Sequence, residues 1–190
     1  YWNVESDALQ DLAICALLHD NALTQYITEE VQKNPSIDIR DDSLNKKTNL
    51  HCIYGEKNIA KIPFKTNVSK VILYHHEQAD GRGPFRKVWQ ETPLFARIIH
   101  LADIIDAIAN SAEFTQGKWD ICCEFLEKQK GKLFDDECVE AFFETVSKDT
   151  FISFADGTFE SKLWEIVPRK KQIFDWNTCK NIADFFASIE

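Results

Sequence analysis

The sequence is constrained most strongly by apolar stretches with helical periodicity, of which ETPLFARIIHLADIIDAIAN at residues 91–110 is the clearest. Its large apolar residues recur every three or four positions and define one helix face: Leu94, Ile98, Leu101, Ile105 and Ile108. Thr92 is a suitable N-cap, and Pro93 suits the first helical position. Asp103 and Asp106 interrupt the apolar run, and a carboxylate among isoleucines needs a cation or hydrogen-bond donors. The stretch therefore predicts a long core helix that carries carboxylates into apolar surroundings.

A second helical pattern, SDALQDLAICALLHD, occupies residues 6–20 near the start of the chain. Ser6 or Asp7 can cap its first turn. The predicted buried face consists of Leu9, Leu12, Ala13, Ala16 and Leu17. The pattern ends on His19 and Asp20, and a His–Asp pair in this position either caps the last turn or binds a ligand.

A third pattern, NLHCIYGEKNIAKIPF at residues 49–64, predicts a helix that stops before Pro63. His51 and Gly55 are four residues apart and share one face. Glycine inside a helix costs about 1 kcal/mol relative to alanine, so Gly55 indicates a close neighbour on that face.

The stretch TNVSKVILYHHEQADG at residues 66–81 contains two of the five histidines of the chain. Thr66 or Asn67 can cap a helix here, with an apolar face made of Val68, Val71 and Ile72. His75 and His76 continue that face and therefore point inward. Two buried imidazoles without partners would cost several kcal/mol, and a metal ion is the simplest partner for both.

Four predicted helices thus carry polar side chains toward the core: His19, Asp20, His51, His75, His76 and Asp103. Four imidazoles and two carboxylates suit two divalent transition-metal ions bridged by a carboxylate. His100, three residues before Asp103, is interpreted as a structural residue of the same helix.

Charge and composition narrow the function classes. The 190-residue chain has a formal net charge of −9, which argues against binding to nucleic-acid polymers or to membrane surfaces. No apolar run is long enough to span a membrane and no signal peptide is recognisable, so we expect a cytoplasmic protein. The six cysteines form no CxxC pair, and buried free thiols are expected.

Residues 57–87 differ from the rest of the acidic chain, because they carry seven lysines and arginines against Glu77 and Asp80. The loop GRGPFRK lies in this window. Gly81 and Gly83 allow a tight bend, and Pro84 fixes the exit from it. Arg82, Arg86 and Lys87 are predicted to face an anionic phosphodiester substrate. The alternative is a solvated basic face.

The remaining sequence predicts two helices within residues 117–147 and an amphipathic helix within 177–190. Between them, FISFADGTFESKLWEIVP has an Asp–Gly turn signal with β-favouring flanks, which predicts a short β-hairpin or an irregular arm. We expect a domain of residues 1–150, incomplete at its amino end, and an extension of residues 151–190.

The motifs LLHD, HCIYGEKNIAKIPF, YHHEQADGRGP and ETPLFARIIHLADIIDA resemble those of the HD-GYP branch of the HD-domain phosphohydrolases. The likeness covers about residues 5–147, and the HHExxDGxG string is its most specific part. The resemblance implies an all-α HD-domain helical bundle with two or three metal ions, often iron or manganese. It also implies hydrolysis of cyclic di-GMP, a bacterial second messenger, within a signalling protein that can have an upstream sensory or regulatory domain.

Carried over motif by motif, the resemblance makes His19 and Asp20 the HD pair, with Asp20 bridging two metal ions and serving as the catalytic residue. His51, His75, His76 and Asp103 match the remaining metal ligands.

Several family features are absent, among them a basic stretch after the last aspartate, which NSAEFTQGK replaces. Leu23 stands where the family has a lysine, and Gly83 runs directly into Pro84 where the family has its signature tyrosine. The sequence therefore predicts a divergent metal-dependent cyclic dinucleotide phosphodiesterase. Two alternatives stay open: a catalytically degenerate sensor or interaction module, and a phosphohydrolase that acts on another nucleotide.

Overall fold

A computed structural model describes residues 1–33, 49–110, 117–155, 158–167 and 171–189. Within these ranges the chain forms nine α-helices: α1 Ser6–Leu17, α2 Leu23–Lys33, α3 Asn49–Ile59, α4 Leu94–Asn110, α5 Lys118–Gln129, α6 Asp136–Thr145, α7 Lys148–Ala155, α8 Phe159–Ile166 and α9 Trp176–Ile189. A short 3₁₀ helix covers Trp89–Glu91, and extended pairing in the described ranges consists of two isolated bridges. The predicted all-α class is confirmed.

Helix α4 is central, because it contributes to two apolar clusters and packs against α5, α6 and α7. Leu101 and Ile105 belong to a cluster with side chains from α5, α6 and α7, whereas Ile99 joins a cluster with α1, α3 and residues 68–72. Helix α2 packs on α3. No helix in the described ranges is long and apolar enough to cross a membrane.

Helix α1 forms as predicted, and Leu12 of the predicted face packs against an apolar cluster, but the prediction is wrong for the end of that face. Leu17 is 74% exposed, whereas Cys15 and Asp11 are buried. The Asp11 carboxylate accepts hydrogen bonds from the backbone N–H groups of Lys65 and Thr66, at 2.9 and 2.6 Å, and from the Thr66 hydroxyl. These hydrogen bonds of Asp11 set the orientation of α1. The N-cap position is Glu5 rather than the predicted Ser6 or Asp7, and its side chain makes no capping hydrogen bond.

Residues 66–81 do not form the predicted helix but a series of turns. Lys70 has a φ of +66°, a left-handed conformation that a regular helix cannot contain. The Glu56 carboxylate of α3 accepts hydrogen bonds from the backbone N–H groups of Lys70 and Leu73, in place of helical carbonyls. The turns still direct His75 inward, since its side chain is fully buried.

The predicted caps of α4 are also displaced. The helix begins at Leu94, one residue after Pro93, and the Thr92 hydroxyl donates to the carbonyl of Trp89 in the preceding 3₁₀ helix. The buried face of α4 includes Leu101 and Ile105, as expected.

The prediction of a hairpin or an irregular arm after residue 150 is wrong for the described residues, which form α7 and α8 instead. Phe151 and Phe154 are three residues apart, hence on one helix face, and Phe151 packs edge-on against Trp119 of α5. Phe151 is almost fully buried in this helix, and the free energy gained by burying its ring exceeds the local preference of these residues for β structure. Asp156 and Gly157, the predicted turn, lie outside the described residues, and the domain boundary at residue 150 stays a prediction.

Candidate metal centre

The six predicted ligands come from four separate parts of the fold. His19 and Asp20 follow the end of α1, His51 lies in α3, His75 and His76 lie in the turns at 66–81, and Asp103 lies in α4. The structure brings these six side chains together.

The Asp20 carboxylate is at the middle of this cluster. Its Oδ1 lies 3.2 Å from His51 Nε2 and 3.6 Å from His75 Nε2, and its Oδ2 lies 3.5 Å from His19 Nε2. The two oxygens therefore face different histidines, as a bridging carboxylate would require.

Two groups of donor atoms lie on the two sides of Asp20. The outer group consists of Asp20 Oδ2, His19 Nε2 and Asp103 Oδ1, with 3.8 Å between the last two atoms. The inner group consists of His51, Cys52, His75 and His76, which each offer one ligand atom within 4.8 Å of the others. Asp20 Oδ1 faces the inner group. Cys52 is a donor that the sequence analysis did not select.

Hydrogen bonds fix the orientation of two imidazoles. His75 Nδ1 lies 2.6 Å from the carbonyl of Ile72, and His19 Nδ1 lies 2.7 Å from that of Ala16. A carbonyl oxygen can only accept, so Nδ1 carries a proton in both rings, and Nε2 of each ring is directed at Asp20.

This arrangement has a direct consequence for cation binding. Asp20 Oδ1 and His75 Nε2 are buried and lack a hydrogen-bond partner in the described part of the chain. A lone pair and a carboxylate oxygen that face each other at 3.6 Å require a cation, either a proton on the ring or a metal ion. The donor set therefore fits a divalent metal.

The electrostatics keep the donors in the form that metals bind. Burial alone would raise the pKa of Asp20, but the imidazoles of His51 and His75 and the charge of His19 hold that pKa well below its usual range. Burial, reinforced by the charges of His75, His51 and His100, lowers the pKa of His76 to about 2. At neutral pH Asp20 is thus a carboxylate and His76 a neutral imidazole.

The cluster is deep at His51 and His75 and open at its carboxylates, and the His19 side chain is 24% exposed. His75 is fully buried and His51 nearly so, whereas the Asp20 and Asp103 side chains are about 40% exposed, at 41% and 38%. Burial raises the pKa of Asp103, with a further contribution from the charge of Asp20. Solvent, and a ligand of suitable shape, can reach the centre from the carboxylate side.

The predicted substrate loop is held mainly by a residue that the sequence analysis passed over. Glu77 is buried, and its carboxylate accepts hydrogen bonds from the backbone N–H groups of Phe85 and Lys87. A Cβ on Gly83 would lie 2.7 Å from the backbone of residues 77–78, so close packing of the loop on its own chain explains that glycine. Gly81 has a φ of +79°, which is consistent with the predicted bend.

The basic side chains of the loop lie at the surface. Arg82 is exposed and pairs with Asp80 at 2.6 Å, and Lys87 pairs with Glu91 at 2.8 Å. Arg86 and Pro84 are also exposed. Substrate contacts by Gly81, Arg82, Gly83, Pro84, Arg86 and Lys87 stay a prediction.

Close packing around α3 explains Gly55, since a Cβ there would lie 3.0 Å from both Asn21 Nδ2 and Ile72 Cγ2.

His100 is buried beside the centre, and its ring centroid lies 6.3 Å from that of His76 and 5.4 Å from that of Phe134. A cavity of about 570 Å³ between α4, α6, α7 and α8 is apolar and contains none of the six predicted ligands.

Comparison with known proteins connects this centre to a family. The model of the HD domain matches residues 2–137. The chain is 39% identical over 74 residues to the cyclic di-GMP phosphodiesterase response regulator RpfG of Xanthomonas campestris, covering 37% of this chain and 19% of that protein. It is 30% identical over 129 residues to the 3′3′-cGAMP-specific phosphodiesterase 3 of Vibrio cholerae, covering 66% of this chain and 27% of that protein.

Among solved structures, a cyclic GMP-AMP-specific phosphodiesterase of V. cholerae matches with a TM-score of 0.73 at 20% identity, over 98% of this chain and 50% of that one. This likeness shows a shared fold. The chain thus spans about a fifth to a quarter of the curated relatives and half of the structural one. The matched domain model and these relatives confirm what the motifs predicted: the chain belongs to the HD-domain family, and its relatives in that family are cyclic dinucleotide phosphodiesterases.

Proposed function

We propose that the chain is a metal-dependent phosphodiesterase that hydrolyses a cyclic dinucleotide, with cyclic di-GMP and 3′3′-cGAMP as the first candidates. The observation that carries the proposal is Asp20, whose two oxygens face histidines from three different elements and require a cation between them. The relatives named above act on these two substrates, which supports the substrate class.

We further propose two divalent ions, one held by the inner group and one by the outer group, with iron or manganese favoured by the family resemblance. Such ions supply a Lewis acid that polarises a phosphoryl oxygen and activates water at neutral pH. Asp20 stays ionised and joins the two groups, while His19 and His75 are oriented by backbone carbonyls so that Nε2 faces inward. Asp103, at the open side, would border the bound phosphodiester.

Substrate binding through the basic loop belongs to the same proposal. Arg86 is exposed, whereas Arg82 would have to exchange its carboxylate partner Asp80 for a phosphate. We therefore expect Arg86→Ala to weaken substrate binding about tenfold or more, in line with a charge-assisted hydrogen bond of roughly 1.5–3 kcal/mol, and Arg82→Ala to weaken it less. Titration at low and high salt checks this, because part of the attraction is screened. Unchanged affinity in both variants would make the loop a structural turn.

The central test uses protein purified without chelator. Metal content by elemental analysis and turnover of cyclic di-GMP, 3′3′-cGAMP and linear dinucleotides are compared for the wild type, Asp20→Ala and Asp120→Ala. Asp20→Ala should lower metal content and abolish hydrolysis while helical circular dichroism persists. Asp120, an exposed residue of α5, is the control and should leave both unchanged. Full activity of Asp20→Ala would contradict the proposal.

A second candidate is a module that binds a cyclic dinucleotide without hydrolysing it. It is favoured by Leu23, an apolar and 38% exposed residue at the start of α2 where the family has a lysine. Saturable binding of the nucleotide by metal-loaded protein, with no turnover of any substrate tested, would identify this function.

A further inference from the structure

We propose that Cys52 is a sulfur ligand of the metal centre and makes the inner group selective for thiophilic ions such as Zn²⁺ or Fe²⁺. The inference rests on the proposed metal-dependent function and concerns the ligand set of that site. It adds a donor to the six residues that the motifs predicted.

The position of the thiol is the first argument. Cys52 is fully buried, and its Sγ lies 3.5 Å from His51 Nε2, the nitrogen that faces Asp20. It also lies 3.9 Å from His75 Nδ1, the nitrogen that faces the Ile72 carbonyl. Bonds of about 2.3 Å to sulfur and about 2.0 Å to nitrogen place the two donors of a tetrahedral site about 3.5 Å apart. The separation of 3.5 Å between Cys52 Sγ and His51 Nε2 has this value.

The surroundings of the thiol are the second argument. Cys15, Cys122 and Cys138 are equally buried, but each packs within one of the two apolar clusters. Cys52 belongs to neither cluster and lies against imidazoles. A cysteine that only filled space would be expected among apolar side chains, as the other three are.

Independent evidence that a cation belongs here comes from two neighbouring atoms. Asp20 Oδ1 and His75 Nε2 face the inner group and are buried without a hydrogen-bond partner in the described ranges, and His75 is fully buried. A cation bound by these atoms and His51 Nε2 would lie within reach of Cys52 Sγ.

The two sides of Asp20 then differ in chemistry. The inner group offers sulfur and imidazole nitrogen, which suit zinc and ferrous iron, whereas the outer group offers two carboxylates and one imidazole, which suit harder ions. When the metal binds, a metal–sulfur bond forms as the S–H bond breaks, and the proton passes to solvent without any change of oxidation state.

Cobalt substitution tests the assignment without measuring activity. Metal-free wild type, Cys52→Ser and Cys122→Ser are titrated with Co²⁺, bound cobalt is measured by elemental analysis, and the near-ultraviolet spectrum is recorded. A sulfur-to-cobalt charge-transfer band should develop in the wild type and in Cys122→Ser and be absent in Cys52→Ser. Cys122 is the matched control, since it is as fully buried as Cys52 but lies in the apolar core.

Zinc affinity gives a second readout. Competition with a chromophoric chelator should show Cys52→Ser binding Zn²⁺ at least about tenfold more weakly than the wild type, since even an outer partner of a ligand contributes about 10- to 100-fold. If the variant fails to fold, X-ray absorption of zinc-loaded wild type decides the matter through a sulfur neighbour at about 2.3 Å.

The outcomes separate this inference from the proposed function. Cobalt bound by the wild type without a charge-transfer band, or a band that persists in Cys52→Ser, would overturn sulfur ligation and leave the metal-dependent function intact. A wild type that binds no cobalt, zinc, iron or manganese would overturn both.

Discussion

At the scale of single residues, the site depends on buried polar groups that control one another. Glu77 holds the loop, Asp11 orients α1, and Asp20 is surrounded by imidazoles. His100 differs from these residues, because neither of its ring nitrogens has a hydrogen-bond partner in the described part of the chain. Burial next to His75 lowers the pKa of His100 to about 4.

This pKa predicts how stability depends on pH. Between pH 6.5 and 4, His100 is neutral in the folded protein but protonated in the unfolded chain, so its contribution to folding stability is complete above pH 6.5 and is lost as the pH falls toward 4. From pH 7 to pH 4.5 the metal-free wild type should lose about 2 kcal/mol more unfolding free energy than His100→Phe, which cannot titrate. Urea unfolding in the presence of chelator measures both. The difference reports the titration of His100 together with its effect on the neighbouring His76, and equal losses would contradict the lowered pKa of His100.

At the scale of elements, contact between α3 and its neighbours positions His51. Asn21, directly after Asp20, donates to the carbonyl of Gly55 at 3.3 Å and accepts from Asn58 at 3.0 Å. The absence of a side chain at Gly55 lets α3 approach Asn21 and Ile72 this closely.

Gly55→Ala should therefore behave unlike an ordinary glycine-to-alanine change in a helix. Alanine normally stabilises a helix by about 1 kcal/mol, but here the added Cβ would crowd two neighbours at 3.0 Å and should give a net loss of about 1–2 kcal/mol. The unfolding free energy in urea measures the change. Lys57→Ala and Lys57→Gly serve as the control, because Lys57 is at an exposed position of the same helix. The difference between these two variants measures the helix propensity of alanine relative to glycine without any crowding. A stabilised Gly55→Ala protein would show that the neighbours move aside at little cost.

At the scale of the whole molecule, the last helix is part of the core that supports the site. Phe185 of α9 is fully buried in the cluster that contains Cys15, Ile72 and Ile99, whereas its neighbour Phe186 is 51% exposed. Residues from both ends of the described chain thus enclose the turns that carry His75 and His76.

The two phenylalanines form a matched pair for testing this packing. Phe185→Ala should reduce the unfolding free energy by about 3–5 kcal/mol, and Phe186→Ala by less than about 1 kcal/mol. Thermal and urea unfolding of both variants check the prediction. Equal effects would mean that α9 does not pack on the core as described.

The sequence by itself determined the helical class and the six residues that converge at the candidate metal centre, because local sequence patterns indicate both. Helical periodicity indicates where helices form, and LLHD, HCIYG, HHEQADGRG and ADIIDA are short strings whose resemblance to family motifs can be seen without knowledge of distant residues.

Only the tertiary structure decided the face of α1, the turns at 66–81, the helices after residue 150 and the place of Cys52. In each case the deciding contact is distant in sequence: Asp11 binds Thr66 across 55 residues, Glu56 binds Lys70 across 14, Phe151 packs on Trp119 across 32, and Cys52 meets His75 across 23. Polar groups in the interior must find hydrogen-bond partners, and buried aromatic rings must find a packing surface, wherever the fold supplies them. This requirement outweighs the small free energies of local helix and strand preference.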